Sequence, residues 1–208
     1  MKEIKDLKGK KVVTDFSALK AVGLANQAMI KAGGLSLDDV DGVTVAGLGQ
    51  GIEGLTDGSL DATSIAVGIP LTQQAHASIP GGIRYLSITG DGANDENMNN
   101  LYAGTYLLPV EPSPRLPEVT EPVTVLGYDV FITTSADLPD DQATAILEAL
   151  YNAWDKVRED YPPVRAGIKA QMAKASNTAP YHPAAIAFFK SKGMWTEAND
   201  KKEASLSR

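Results

Sequence analysis

Hydrophobic and polar residues in the first part of the chain follow two alternating patterns. Short runs of β-branched and aliphatic residues predict strands at 11–14, 43–45, 60–65 and 84–88. Between them, apolar residues from Leu19 to Ile30 recur at three- and four-residue spacing, which predicts a helix that ends at Gly33 and Gly34. Shorter helices are predicted at 50–57 and from Pro70. Strands that alternate with helices are typical of an α/β fold with a parallel-type sheet.

The pattern changes after residue 88. Residues 89–122 are rich in Asn, Asp, Gly and Pro, and we expect an irregular stretch there that is functional or wraps a surface. Residues 123–134 predict one long strand. Helices are then predicted at 139–160, 163–175 and 183–192.

Composition divides the chain at the same place. Residues 1–134 hold 17 of the 19 glycines and all of the net charge of −7, whereas residues 135–208 hold two glycines and carry no net charge. We therefore predict an α/β region over 1–134 and a C-terminal helical region over 135–208.

Composition also excludes several kinds of chemistry. The 208 residues contain no cysteine, which excludes disulfides, thiolate nucleophiles and cysteine-ligated metals. His76 and His182 are isolated, with no Ser or Asp partner at a recognisable spacing. The net charge of −7 disfavours nucleic acid, and no apolar run approaches the roughly 20 residues that span a bilayer. We expect no catalytic residue, no metal and no cofactor.

Three glycine-containing or polar turns could carry a binding function. Residues 49–54 fit G-x-G-x-x-G, but the following helix is short and Asp61 begins the next strand, so a plain glycine-rich turn is preferred over a dinucleotide fingerprint. Residues 15–18 lie between the first strand and its helix, where either an anion site or a simple Ser17 N-cap fits. Residues 66–70 form the corresponding turn after the third strand.

Several blocks of residues resemble known receptors. Ile4-Lys5-Asp6-Leu7-Lys8-Gly9-Lys10-Lys11-Val12 and Leu55-Thr56-Asp57-Gly58-Ser59-Leu60-Asp61-Ala62 resemble segments of type 2 periplasmic binding proteins. Further blocks resemble the TAXI subfamily, the solute receptors of TRAP transporters: Leu101-Tyr102-Ala103-Gly104-Thr105-Tyr106, Gly127-Tyr128-Asp129-Val130, Ala136-Asp137-Leu138-Pro139-Asp140-Asp141, His182-Pro183-Ala184-Ala185 and Gly193-Met194-Trp195. The resemblance covers nearly the whole chain.

The resemblance implies a type 2 periplasmic-binding-protein-like fold of two α/β lobes that close on a solute. Residues 1–134 then resemble lobe two with the return crossover, and residues 135–208 resemble helices that pack on lobe one. Family members normally carry an export signal and about one lobe of chain before the first block, so we expect that most of lobe one is lacking. Asp15 is a second departure, because it brings a negative charge to the position of an anionic solute.

The implied function is that of an extracytoplasmic, periplasmic receptor without enzymatic activity. Its partners would be the TRAP membrane subunits and a small organic solute such as an amino acid or organic acid. The predicted ligand-binding residues are Thr14, Phe16, Ser17, Ala18, Val67 and Gly68, with Phe16 stacking on or covering the solute. An enzyme on the same fold and a sensory or regulatory ligand-binding domain stay open as alternatives.

The helical region carries one further expectation. If its apolar faces lack a lobe to pack on, large side chains there should be exposed and the chain should self-associate. The side chains expected to be exposed are Tyr151, Trp154, Ile186, Phe188, Phe189 and Trp195.

Overall fold

Four strands and seven α-helices lie in the residues that this computed structural model describes, which are 1–161, 164 and 167–206. The strands are β1 (Lys11–Phe16), β2 (Asp41–Val45), β3 (Thr105–Val110) and β4 (Val123–Tyr128). The helices are α1 (Lys20–Ala32), α2 (Leu48–Asp57), α3 (Pro70–Ser78), α4 (Asp95–Leu101), α5 (Asp140–Asp160), α6 (Pro183–Ser191) and α7 (Glu197–Leu206). The chain divides into unit 1, Met1–Tyr128, and unit 2, Asp129–Arg208, close to the break in composition.

Unit 1 contains the predicted parallel pairing around β1. β1 pairs in parallel with β2 along its whole length. On its other side β1 makes one parallel bridge, between Val12 and Ala62, and the Val13 N–H donates to the Ala62 carbonyl at 3.0 Å. A mixed α/β fold with parallel pairing and C-terminal helices is therefore confirmed.

Two predicted strands are reduced to single bridges. Residues 60–65 pair only at Ala62, because the Asp61 carboxylate, rather than a ladder carbonyl, accepts the Lys11 N–H at 2.9 Å. Residues 84–88 pair only at Ser87, because their backbone bonds are shared between two neighbours. The Ser87 N–H donates to the Lys2 carbonyl and the Ile88 N–H to the Thr124 carbonyl.

The prediction that residues 89–122 are irregular is wrong. They contain α4, whose N-cap Asn94 accepts the Asn97 N–H at 2.9 Å, and they contain β3. β3 pairs with β4 in antiparallel register, from Thr105 opposite Tyr128 to Val110 opposite Val123. β4 ends at Tyr128 instead of running to residue 134, because the pairing with β3 ends there.

α1 packs against β1 to form the main core of unit 1. Its Ala28, Ile30 and Ala32 are buried together with Val12 of β1 and Met98 of α4. α1 begins at Lys20 with Leu19 as its N-cap and no capping side chain, so the prediction of a Ser17 cap is wrong. The chain bends at residues 17 and 18, where the Ser17 and Ala18 N–H groups donate to the Val45 and Ala46 carbonyls before α1 begins.

Unit 2 is built from helices. α5 and α6 are confirmed close to their predicted bounds, whereas α7 was not predicted. The helix predicted at 163–175 lies partly outside the described residues, and the described part contains a 3-10 turn at Lys169–Gln171. Within the described part of the chain, no helix is both long and apolar enough to cross a membrane.

The expectation that large side chains of unit 2 are exposed is wrong, most clearly for two phenylalanines. Phe188 and Phe189 are 6% and 5% exposed, and Tyr151, Trp154, Ile186 and Trp195 are half-buried. The reason is that the rings cover one another edge to face, for example Tyr151 on Phe188 and Tyr181 on Trp195. Self-association of the chain stays a prediction.

Candidate functional site

A β-bulge at Thr14 decides where the first group of predicted site residues points. The register of β1 against β2 shifts between Val13 and Asp15, which leaves Thr14 as an extra residue. Val13 and Phe16, which strict alternation would place on opposite faces, therefore share one buried cluster with Leu60. Phe16 is 0% exposed. The structure gives it a packing role, and its contact with a solute stays a prediction.

Two glycines make room for the side chains at the bulge. The Thr14 side chain lies against Gly42 of β2, where an added Cβ would come within 2.8 Å of the Thr14 hydroxyl. The Asp15 carboxylate lies against Gly23 of α1, where an added Cβ would collide with it. Both side chains are half-buried. Thr14 and Asp15 are thus held by close packing.

Helix α1 satisfies the carbonyls that the bulge frees. The Asn26 side-chain amide donates to the Val13 carbonyl, and the Gln27 amide donates to the Thr14 carbonyl at 3.3 Å. Asn26 is 6% exposed, so this contact is inside the molecule. Two consecutive amides on α1 therefore fix the backbone of the candidate site.

The backbone N–H groups of the first turn are already used within the chain. Phe16 donates to its neighbour Asp15 at 2.8 Å, Ser17 to the Val45 carbonyl at 2.9 Å, and Ala18 to the Ala46 carbonyl at 3.1 Å. An anion cradle made of these N–H groups would have to break the pairing with β2. The anion-site interpretation of this turn is thereby weakened.

The turn after β1 could contact a solute through its side chains. Ser17 and Ala18 are exposed. The Ser17 hydroxyl forms no hydrogen bond with any of the described residues. Asp15 forms an ion pair with Lys20 at 2.7 Å, and this hydrogen bond is the largest cause that lowers the pKa of Asp15. The turn therefore presents a free hydroxyl beside an ion pair.

The second predicted turn is held by a residue that the sequence did not single out. Gly68 adopts a φ of +79°, and its N–H donates to the Glu118 carboxylate at 2.7 Å. Val67 is half-buried and Gly68 is exposed. An added Cβ at Gly68 would come within 2.9 Å of Leu116, so the glycine permits a close approach of the 111–121 segment.

The two turns differ in how firmly the structure ties them to the sheet. Residues 14–18 include the carboxyl end of β1, whereas residues 66–69 lie beyond the single parallel bridge at Ala62. Open α/β sheets hold ligands at the carboxyl edge of their strands. That both turns lie at this edge stays a prediction.

Comparison with known families agrees with this architecture. A model of the NMT1-like family, a periplasmic-binding-protein-like family, matches residues 1–193. The chain belongs to the NMT1-like family. Proteins of the NMT1-like family are extracytoplasmic binding proteins, which implies a small-molecule ligand and a solute-binding role and suggests a protein without enzymatic activity. α7 lies beyond the matched residues.

The G-x-G-x-x-G segment serves packing in this NMT1-like protein. Gly49, Gly51 and Gly54 lie inside α2 rather than in a turn before it. An added Cβ at Gly51 would collide with Thr63, and one at Gly54 would collide with Leu60. The interpretation of residues 49–54 as a glycine-rich turn is therefore wrong, because these residues are helical. Gly51 and Gly54 let α2 approach the segment that follows it.

An open groove is lined by residues other than the predicted ones. It has a volume of about 260 Å³ and lies between α2 and the sheet, and Lys11, Val43, Val45, Glu53, Asp57 and Leu60 are among its lining residues. None of the six predicted binding residues lines it. The binding site predicted at the carboxyl edge of this NMT1-like fold stays a prediction.

The histidines have structural contacts. His76 accepts the Ile83 N–H at 3.2 Å, and His182 accepts the Ala184 N–H at 3.2 Å as the N-cap of α6. Among the described residues, no group of three or more His, Asp or Glu side chains is arranged to hold a metal ion. The helix-start interpretation of His182 is confirmed.

Three residues of the candidate site were missed by sequence reasoning. Lys20 and Asn26 lie on α1 at positions that periodicity assigns only to a helix, and Glu118 lies in a segment predicted to be irregular. The only available signal was polarity inside α1 at positions 26 and 27. Glu118 carries no local sequence signal, because its partner Gly68 is 50 residues away.

Proposed function

We propose that the chain is a receptor of the TAXI subfamily that delivers a small organic solute, such as an amino acid or organic acid, to the membrane subunits of a TRAP transporter in the periplasm. Membership in a family of binding proteins supports this, as do the blocks that resemble TAXI receptors. In this proposal, residues 1–134 are the solute-binding lobe two and residues 135–208 belong with lobe one.

The observation that carries the proposal is the polar surface of the turn after β1. The Ser17 hydroxyl is exposed there, next in sequence to the Asp15–Lys20 ion pair. Hydroxyl groups and charged side chains can hold a polar solute without covalent chemistry. Closure of a partner lobe would then bury the solute and create the surface that the membrane subunits recognise.

Isothermal calorimetry with a panel of amino acids and organic acids tests the proposal. A member of the panel should bind the full chain, and Ser17→Ala should weaken that binding about fivefold, since one hydrogen bond contributes roughly 1 kcal/mol. Ser78→Ala, which alters an exposed serine of α3, is the matched control and should leave affinity unchanged. The solute should be recovered chemically unchanged.

Two results would contradict the proposal. If no panel member binds the full chain, the receptor function is unsupported. If a solute binds and Ser17→Ala and Ser78→Ala have the same affinity as the wild type, Ser17 is not part of the site.

A further inference from the structure

Glu118 is an ionisable side chain in a position that packing alone does not explain. It lies in the segment between β3 and β4 and is 1% exposed. Its Oε1 accepts the Gly68 N–H at 2.7 Å, and its Oε2 is buried without a hydrogen-bond partner among the described residues. Burial of a carboxylate is unfavourable unless charge or hydrogen bonds compensate.

The compensation comes from the end of a helix. Gly68 precedes Ile69, the N-cap of the nine-residue helix α3, and Pro70 is the first residue of that helix. A helix N-terminus carries a partial positive charge that favours an anion. The N–H groups at the start of a helix are also where proteins hold anionic groups. The Glu118 carboxylate is thus at the anion position of this turn.

The surrounding segment keeps the carboxylate there. Leu116 approaches Gly68 closely, and the Gln73 side-chain amide of α3 donates to the Arg115 carbonyl at 3.1 Å. The Val119 N–H donates to the Leu116 carbonyl at 2.9 Å, which closes a turn next to Glu118. The segment that carries Glu118 is therefore held beside Gly68 and α3 through Leu116 and Arg115.

The nearby cation does not neutralise Glu118. Arg84 lines the same small cavity of about 10 Å³ as Glu118, but its guanidinium pairs with Glu121. Among the described residues, Glu118 has the Gly68 N–H as its hydrogen-bond partner and forms no ion pair.

We propose that Glu118 is a built-in anion that occupies the anion position of the α3 turn and excludes the anionic groups of a solute from Gly68. This inference rests on the proposed receptor function and adds a rule of specificity to it. The part of the solute that meets the Gly68 turn is neutral or cationic. The N–H groups of Phe16, Ser17 and Ala18 are likewise used within the chain, so neither turn offers an open anion cradle.

Formate, the smallest carboxylate, tests the inference in Glu118→Ala. The substitution leaves the Gly68 N–H free and opens the space of the lost carboxyl. Formate titrated into the labelled full chain should shift the Gly68 amide resonance of this variant and raise its melting temperature. The wild type should bind formate at Gly68 at least about tenfold more weakly. Glu111→Ala, an exposed glutamate of the same segment, should behave as the wild type.

Two outcomes of this titration overturn the inference. One is a Gly68 amide that responds to formate in the wild type as it does in Glu118→Ala. The other is a folded Glu118→Ala chain whose Gly68 amide does not respond.

A second variant decides the matter if Glu118→Ala does not fold. Glu118→Gln keeps an oxygen acceptor for Gly68 and removes the charge, so the Gly68 amide proton should move upfield as its hydrogen bond weakens. An unchanged Gly68 amide proton would show that the carboxylate is not its acceptor and would overturn the inference. None of these measurements uses a solute. A failure of the receptor function appears separately, as the absence of solute binding by the wild type.

Discussion

The two units of this protein reach close packing by different means. Unit 1 contains 17 glycines, and at several of them the neighbouring side chain fills the space of the missing Cβ, as Ile4 does at Gly33 and Leu60 at Gly54. Unit 2 contains two glycines and packs large rings edge to face around Phe188, Phe189 and Tyr181. In unit 1, the absence of a side chain at glycine permits close packing. In unit 2, close packing comes from large aromatic side chains.

This difference determines which substitutions each unit tolerates. A close approach at glycine is damaged by adding atoms, because backbone and side chain already touch. A cluster of rings is damaged by removing atoms, because each ring supplies contact area to several others. Substitutions that add atoms at glycines should therefore destabilise unit 1, and substitutions that remove ring atoms should destabilise unit 2.

The largest effect is expected from Phe188→Ala in unit 2. Phe188 is 6% exposed and contacts Tyr151 and Phe189 edge to face. Its truncation should lower the free energy of unfolding by about 3–5 kcal/mol. Hydrogen exchange should show the greatest loss of protection in α5 and α6. Phe188→Leu, which keeps most of the volume, is the control and should lose clearly less. Equal losses in the two variants would show that the rings are not the source of stability.

The reverse substitution should act on unit 1. Gly54→Ala adds a Cβ that meets Leu60, and we expect a loss of about 1–3 kcal/mol in the free energy of unfolding. Gly49 lies in the same helix with no atom within 4 Å of an added Cβ. Gly49→Ala should therefore stabilise the chain by about 0.5–1 kcal/mol. Denaturant unfolding measures both, and effects of the same sign would refute the packing role of Gly54.

The comparison also explains which parts of the fold could be predicted from the sequence. α1, α5 and α6 were predictable because their apolar spacing and their terminal Gly or Pro residues are local signals. The strands at 60–65 and 84–88 were not, because their backbone bonds go to Lys2, Lys11 and Thr124, which lie far away in sequence. α4 had a readable signal in the Asn94 cap and the acidic residues after it, which the high content of turn-forming residues obscured.

The candidate site was less predictable than the fold. The expectation that the two turns share an edge rests on parallel pairing, which the alternation of strands and helices indicates. The burial of Phe16 does not follow, because it depends on a one-residue bulge that reverses the alternation after Val13. The use of the Gly68 N–H by Glu118 depends on a contact between segments 50 residues apart. Local patterns contain neither fact.

Alkaline pH should destabilise each unit through one half-buried tyrosine. Burial raises the pKa of Tyr181 to about 12 from 10.0, and burial also raises the pKa of Tyr85 in unit 1. Between pH 10 and about 12, the unfolded chain loses the Tyr181 proton while the folded chain keeps it. The stability that this residue contributes is therefore complete below pH 10 and is lost as the pH rises.

Tyr181→Phe tests that sign. The variant loses the hydroxyl that donates to the Lys174 carbonyl at 2.8 Å, so its free energy of unfolding should be about 1 kcal/mol lower than that of the wild type at neutral pH. The difference should shrink as the pH rises from 10 to 12. Tyr85→Phe is the matched variant in unit 1 and should show the same trend. Wild-type and Tyr181→Phe stabilities that stay parallel across this range would contradict the assignment.

The smallest effect is expected for an exposed ion pair on α7, the helix that no pattern predicted. Glu197 pairs with Lys201 one turn later, and both side chains are largely exposed. Such a pair contributes about 0.3–0.5 kcal/mol, so Glu197→Ala should lower the free energy of unfolding by that amount and the loss should vanish in high salt.

Glu203 on the same helix differs, because it accepts hydrogen bonds from the Asn177 side-chain amide at 2.8 Å and the Tyr181 N–H at 3.2 Å. Glu203→Ala removes the acceptor of the Tyr181 N–H and one of the two acceptors of the Asn177 amide, so it should lose about 1–3 kcal/mol at any salt concentration. Denaturant unfolding of both variants at low and high salt makes the comparison. A salt-dependent loss at Glu203 as small as that at Glu197 would mean that α7 is only loosely held to the aromatic cluster, and that the ring packing of unit 2 ends before α7 begins.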